Sequence, residues 1–306
     1  MAWLFCFLTL VWINPINEID AKIEFMYEDE IIYTQAKAEL FHPLLENGHI
    51  NYESLHTLTE ELIKTVYTPA TNAFIGEFGE IVGDKNGQTI NRTQLKEDII
   101  ESLLQTGTDQ ITVPLIPVYA KVNTELMNRL RNKMIGHYIT YFNPHNKERS
   151  HNIKLATSAI HNHVIFPHES FSFNETVGER TVQNGYKKAP VIVRGELSEG
   201  IGGGICQVSS TLFNAVDHAN LKIVERYIHS RRVSYVPPGR DATVSWYGPD
   251  FRFENKLNQP ILIQAKVYGG QLIIKIFSTE DVIYKTKEVP KAERKIPEEM
   301  RVNKSS

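Results

Sequence analysis

Apolar positions along this chain change their period several times, and each change marks an element. Leu55, Leu58, Leu62, Ile63 and Val66 recur at helical spacing and stop before Pro69, which predicts a helix that the proline terminates. A strand-like stretch through Ala73, Phe74 and Ile75 leads to the turn residues Gly83, Asp84, Asn86 and Gly87. Leu95, Ile99, Ile100, Leu103 and Leu104 predict a second helix capped by Thr93. Val113 to Val118 reads as an edge strand, because Pro114 and Pro117 cannot donate to a ladder. Residues 20 to 50 mix strand and loop signals. Together these predict a small α+β domain over residues 21–122, with a linker helix at 123–134.

From Ile135 to about residue 279 the pattern is one of short strands and turns, with a single helix as the exception. That helix carries Val208, Leu212, Ala215, Val216 and Ala219 on one stripe of period 3.6. Ile223 to Ile228 follows as a strand that ends at His229. Phe251 and Phe253 mark a strand with one buried face. Ile261, Ile263, Ala265 and Val267 alternate, Gly269-Gly270 turns the chain, and Leu272 to Phe277 returns, the signature of a hairpin. Beyond Glu280, Lys, Glu and Pro dominate, so residues 280–306 are expected to be a solvated, disordered tail that need not pack. The fold class is α+β, a small α+β domain followed by a strand-rich domain.

Composition narrows the function classes. The 306 residues are 42% hydrophobic, enough for two domains with real cores. A net charge of -3 and a pI near 6.4 give no basic footprint, so nucleic acid is not an expected partner. Met1 to Ile13 is free of charge and too short to cross a bilayer comfortably, but suits the core of an export signal or an uncleaved anchor within residues 1–20. The expected location is therefore outside the cytoplasmic membrane, with membrane association through that segment if it is retained. Cys6 follows Phe5, where a lipoprotein signal has a small residue. Cys206 is the other cysteine, so a chain without its leader has one thiol and no internal disulfide.

The placement of that thiol points to chemistry. Cys206 stands in Gly202-Gly203-Gly204-Ile205-Cys206-Gln207 at the predicted N-terminus of the helix. Unpaired N–H groups and the positive end of the dipole favour a thiolate there. A buried structural cysteine beside chain-turning glycines is the alternative. The backbone N–H groups near Gly204, Ile205 and Cys206 are candidates for an oxyanion hole, and Gly203 and Gln207 border the thiol as further oxyanion or substrate contacts. Ser209 and Ser210 read as first-turn caps, and neither lies in a nucleophile elbow. His161, His163, His168 and Glu169 resemble a zinc set, with solvated side chains as the alternative.

Several segments together resemble the VanW domain family. They are Ser150-His151-Asn152-Ile153, Phe171-Ser172-Phe173-Asn174 with Val177-Gly178, Gly185-Tyr186 with Ala189-Pro190, and Gly202 to Thr211. Glu225-Arg226, His229-Ser230, Tyr235 to Ala242 and the final hairpin complete the match, which covers residues 135–279. The preceding region, chiefly Asn72 to Val122, resembles the peptidoglycan-binding domain often found before VanW domains. The resemblance implies a cell-wall protein whose cysteine, here Cys206, serves as nucleophile of an L,D-transpeptidase. Such an enzyme joins peptidoglycan stem peptides by 3-3 crosslinks without a cofactor or metal; a non-catalytic wall-binding or maintenance factor is the alternative. The thiol needs a base, for which His229 is the first candidate and His151 the second. Asp241 could orient a histidine or close a turn. Arg226, Arg231 and Arg240 are candidates to hold a stem carboxylate, and Tyr235 joins them as a substrate contact.

Overall fold

The computed structural model describes residues 21–42, 49–193 and 196–297. The leader, Cys6 included, lies outside them. Among the described residues no helix is long and apolar enough to cross a membrane. The architecture is α+β, divided into two units.

The first unit runs to Asn72 and takes in Asp84–Lys121. Strand Lys22–Tyr27 pairs antiparallel with Glu30–Ala36 and parallel with Asp109–Thr112. The helices Tyr52–Val66 and Arg92–Leu103 cover a core of Ile23, Phe25, Leu58, Leu62, Leu95 and Ile99. The second helix starts two residues earlier than expected, because its N-cap is Asn91, whose side chain accepts the N–H of Gln94, rather than Thr93. Leu104, expected on its core face, is its exposed C-cap. The strand expected at 113–118 is found as Leu115–Val118, paired with Gly87–Ile90, and Val113 and Pro114 separate it from a further strand, Asp109–Thr112. Buried Lys37 donates to Asp109 at 2.7 Å and to the carbonyls of Ser102 and Gln105 at 2.7 and 3.0 Å.

The second unit comprises Ala73–Gly83 and the chain from Val122. Residues 73–83, grouped with the first domain by sequence rhythm, pack instead with the second. There the hairpin Phe74–Ile75/Ile81–Val82 joins Val122, Met127, Leu130 and Leu262 in one small core. The helix Thr124–Leu130 belongs to that core, so it is part of the second unit rather than a free linker. A four-stranded antiparallel sheet is the backbone of this unit, in the order Lys133–Tyr141, Gln271–Ser278, Ile261–Tyr268, His163–Ile165. A second sheet orders Ser170–Ser172, Arg252–Glu254 and Lys222–Glu225. Lys188–Val193 and Glu196–Ile201 form a separate hairpin.

Two helices of this unit matter for the site, Lys147–Ile160 and Ile205–His218. The first departs from the expectation of strands and turns. Its buried face mixes Ile153, Ala156 and Ile160 with Ser150, Asn152 and Thr157, so polar residues interrupt the apolar stripe that would betray a helix. The second is buried almost all round, from Ile205 and Gln207 to Asp217. It packs on the sheet across Gly136, where an added Cβ would stand 2.5 Å from the Ala215 carbonyl oxygen and 2.8 Å from the Ala219 Cβ. Gly136→Val should therefore force helix and strand apart and cost about 2–3 kcal/mol by overpacking, read as a lower urea midpoint. An unchanged midpoint would mean that the helix is not seated on this strand.

The tail departs from its expectation as far as Pro297. Residues 282–297 form no regular element, yet Val282 is buried and Tyr284, Val289 and Ala292 lie on the main core. The Tyr138 hydroxyl donates to the Pro290 carbonyl at 2.7 Å, and Lys287 reaches Asp217 at 2.7 Å. Apolar residues spaced among the charges give this segment enough to bury, which the bulk composition hides.

Candidate active site

Gly204 starts the cysteine helix in the left-handed region, φ 107°, where a side chain would be strained. It has no side chain to cap the helix, so the first-turn N–H groups are left to other partners. Ile205 donates its N–H to the Gly202 carbonyl at 3.2 Å and Gln207 donates its own to Gly204 at 3.0 Å. The oxyanion role expected of Ile205 therefore fails, because its donor is spent. Cys206, the second helical residue, faces a cavity of about 790 Å³ that lies within the second unit. The thiol is partly buried and reaches the Val244 carbonyl at 3.5 Å and the Thr243 hydroxyl at 3.9 Å.

The polar face of the same helix determines what meets the thiol. Ser209 donates its hydroxyl to the Ala242 carbonyl at 2.6 Å, and the Ala242 N–H donates to the Ser210 hydroxyl at 2.9 Å. Asn214 donates to the Arg240 carbonyl at 2.7 Å. These side chains, expected as caps or left without a role, clamp residues 240–242 along the helix. That segment pairs with Tyr227 through the Thr243 N–H, which donates to the Tyr227 carbonyl at 2.8 Å. His229 and Asp241 are thereby brought together. The Asp241 carboxylate accepts from the His229 backbone N–H at 2.7 Å and lies 2.6 Å from its Nδ1. With Nδ1 so engaged, Nε2 is the ring nitrogen left for another partner, and the imidazole and the Cys206 thiol, both on the cavity wall, stabilise each other's charged forms.

Charges in this row reinforce one another. Burial alone would raise the Cys206 thiol, but the hydrogen bond and charge of His229, with help from Val244 and Thr243, bring it below its ordinary value. Burial pulls His229 the other way, yet Asp241 and Cys206 push it up to about 9. Burial opposes ionisation of Asp241 too, and the imidazole holds its pKa below the ordinary carboxylate value all the same. The arrangement favours a thiolate beside an imidazolium whose ring is oriented by a carboxylate.

Other expected site residues fall into two groups. Gly203, Gly204, Gln207 and Tyr235 line the cavity with Cys206 and His229. Gln207 is fully committed: its amide donates to Thr140 and to the Tyr141 carbonyl at 3.0 and 2.9 Å, and its oxygen accepts from Arg149 at 2.6 Å. Burial, and then the negative charge of Cys206, push the Tyr235 phenol well up, so it stays protonated. His151 is elsewhere, its ring 2.8 Å from the Gly185 carbonyl.

The three arginines expected to hold substrate are also outside the cavity wall. Arg240 is held by Asp217 and Asn214 at 2.7 and 2.8 Å, and both Arg240 and Arg226 lie over the Phe213 ring. Arg231 is exposed. Lining arginines are instead Arg149 and Arg180, which no short motif marked. Thr243, Val244, Trp246 and Tyr247 also escaped the sequence reading. Of the histidines considered as zinc ligands, His161 accepts from the Ala265 N–H at 3.1 Å and His163 packs edge-on against Phe171. Among the described residues no group of three His, Cys, Asp or Glu side chains is placed to share an ion.

Comparison with known proteins places this geometry in a family. The model described as "VanW like protein" matches residues 148–277, which contain Cys206, His229 and Asp241. The chain is 49% identical over 269 residues to the uncharacterized protein YoaR of Bacillus subtilis (strain 168), covering 88% of this chain and 89% of that protein. It is 30% identical over 132 residues to the vancomycin B-type resistance protein VanW of Enterococcus faecalis (strain ATCC 700802 / V583), covering 42% and 48%. No solved structure matches. Identity at this level, sustained through both units and reinforced by the match around the cysteine helix, means that the chain belongs to the VanW-like family of YoaR.

Proposed function

We propose that this protein is a cell-wall enzyme that transfers acyl groups between peptidoglycan stem peptides through a thioester on Cys206. The observation that carries the reading is the Cys206–His229–Asp241 row opening on a cavity large enough for a peptide. Its link to the wall rests on the VanW resemblance, with support from the relative named for vancomycin resistance.

In the proposed reaction the Cys206 thiolate attacks the carbonyl before the terminal D-Ala of a tetrapeptide stem. The C–N bond breaks as the His229 imidazolium gives its proton to the leaving amine, and D-Ala departs. The amine of a diaminopimelate on a second stem then attacks the thioester and yields its proton to His229. The C–S bond breaks, leaving a 3-3 crosslink; water in place of the amine gives a trimmed stem. The N–H of Cys206, in the first helical turn, is the donor this reading assigns to the developing oxyanion. The first unit is assigned to wall binding on resemblance alone.

The test is mass spectrometry of tetrapeptide-stem muropeptides incubated with the full chain. New 3-3 dimers should appear, persist with a chelator and vanish after iodoacetamide. Unchanged muropeptides in the presence of a folded protein that binds them would favour the wall-binding factor instead.

A further inference from the structure

Arg180 is the side chain on the cavity wall whose bonding is unfinished. It follows the short helix Phe173–Val177 and lies over Gly202, where an added Cβ would meet its Cβ and Cγ at 3.1 Å. One terminal nitrogen, Nη2, donates to the Asn174 side-chain oxygen at 2.7 Å. Asn174 is itself immobilised, donating to the carbonyls of Ser245 and Pro249 at 2.9 and 3.2 Å. The other terminal nitrogen, Nη1, is out of solvent and has no hydrogen-bond partner. The nearby Asp250 carboxylate does not supply one, being taken by the Ser172 hydroxyl and the N–H groups of Asn174 and Phe251 at 2.6, 2.9 and 2.8 Å. A guanidinium nitrogen out of solvent and without an acceptor is costly, and a planar carboxylate is the acceptor the fork fits best.

The surroundings favour an anion. Arg149 stands on the same wall, set by its bond to Gln207. Glu179, the acidic side chain lining the cavity, accepts from the Tyr247 hydroxyl at 2.8 Å. The N-terminus of the cysteine helix adds its partial positive charge. Burial lowers the pKa of Arg180, while the charges of Tyr186, Cys206 and Asp250 oppose that shift, so the guanidinium and the thiolate are electrostatic neighbours.

We propose that Arg180, assisted by Arg149, anchors a free carboxylate of the acyl donor, so that the preferred donor ends in a carboxylate one residue beyond the carbonyl that Cys206 attacks. This inference rests on the acyl-transfer reading for the identity of the bond. In a stem ending in D-Ala the carboxylate carbon is two bonds from the scissile nitrogen. Pairing it with a fixed guanidinium aligns the carbonyl with the thiolate before reaction. Arg180 is thus a substrate-binding and specificity residue, and a small turn of its side chain brings Nη1 to the ligand.

The experiment measures binding, so that it does not depend on turnover. The full chain carrying Cys206→Ala is titrated calorimetrically with a tetrapeptide stem ending in D-Ala and with the same peptide as its C-terminal carboxamide. The acid should bind about tenfold or more tightly than the amide, the discrimination expected of a desolvated bidentate pair. Adding Arg180→Gln should reduce that ratio to about twofold or less, and Arg180→Lys should retain part of it, since the charge stays but the fork is lost. Equal binding of acid and amide to the Arg180 protein overturns the proposal without any appeal to a variant, as does failure of both to bind. A ratio undiminished in a folded Arg180→Gln chain overturns it too. If discrimination is present but the unsubstituted protein makes no crosslinks, the carboxylate site stands and the transfer reaction falls.

Discussion

Cys206→Ala should abolish 3-3 dimer formation, with no residual product above the buffer control, and should leave the chain folded. The reasoning is that the proposed thioester has no other place to form: Ser209 and Ser210, the nearest hydroxyls in sequence, donate to the carbonyls of Ala242 and Cys206 at 2.6 Å each and are buried in the clamp. Folding is expected to survive because the Sγ contacts to Val244 and Thr243 are long, at 3.5 and 3.9 Å, and Asp241 still holds the imidazole when the thiolate is gone, so the loss of stability should be about 1 kcal/mol or less. What changes is the neighbour. Without a thiolate, His229 loses one of the two partners that raise its pKa. Muropeptide mass spectrometry and urea unfolding check the two halves of this result, and crosslinks made by the alanine protein would remove Cys206 from the mechanism.

His229→Gln should slow both thiol alkylation and crosslinking at neutral pH by roughly 100- to 10,000-fold, the range for removing a positioned proton-transfer group. The pH profile carries more information than the rate. In the native protein the thiolate is present above the lowered pKa of Cys206, and the imidazolium is present below about 9. A raised histidine pKa means that the charged form is held at low and neutral pH and lost as pH rises through about 9. Crosslinking needs the imidazolium proton for the leaving amine, so its alkaline limb should fall near that value, while alkylation, which needs only the thiolate, should persist. Both limbs report the coupled pair rather than either residue alone. In the glutamine variant burial dominates the thiol, and the acidic limb of alkylation should move to higher pH. An unmoved limb would assign activation to the helix N-terminus rather than to His229.

Much of this chemistry could be read before any fold was known, though unevenly. The stripe of Val208, Leu212, Ala215, Val216 and Ala219 identifies the cysteine helix because every one of those positions is buried against other elements. A side chain at its start must then face whatever the helix end faces. The helix Lys147–Ile160 was invisible for the converse reason, as its inward face carries Ser150, Asn152 and Thr157, whose partners are carbonyls elsewhere in the chain or in its own preceding turn. With that helix hidden, Arg149 had no wall to stand on. Two of the arginines that did stand out, Arg226 and Arg240, belong to the matched motifs, yet both rest on Phe213.

Taken alone, the sequence determined the family and the α+β class, and it singled out Cys206 as candidate nucleophile with His229 as the first candidate for its base. All of these depend on local order along the chain: a periodic stripe, a glycine run before a cysteine, and motifs in a fixed succession. Only the tertiary structure decided which carboxylate orients the imidazole, which N–H groups are already spent, and which arginines face the cavity. Those choices are made by contacts between segments far apart in the chain. The serine and asparagine side chains of one helix hold residues 240–242 in place, and that clamp turns Asp241 toward His229 while Arg240 is drawn away to Asp217. Arg240 and Asp241 are neighbours in the chain, so only the partners that hold the segment decide which of the two reaches the site.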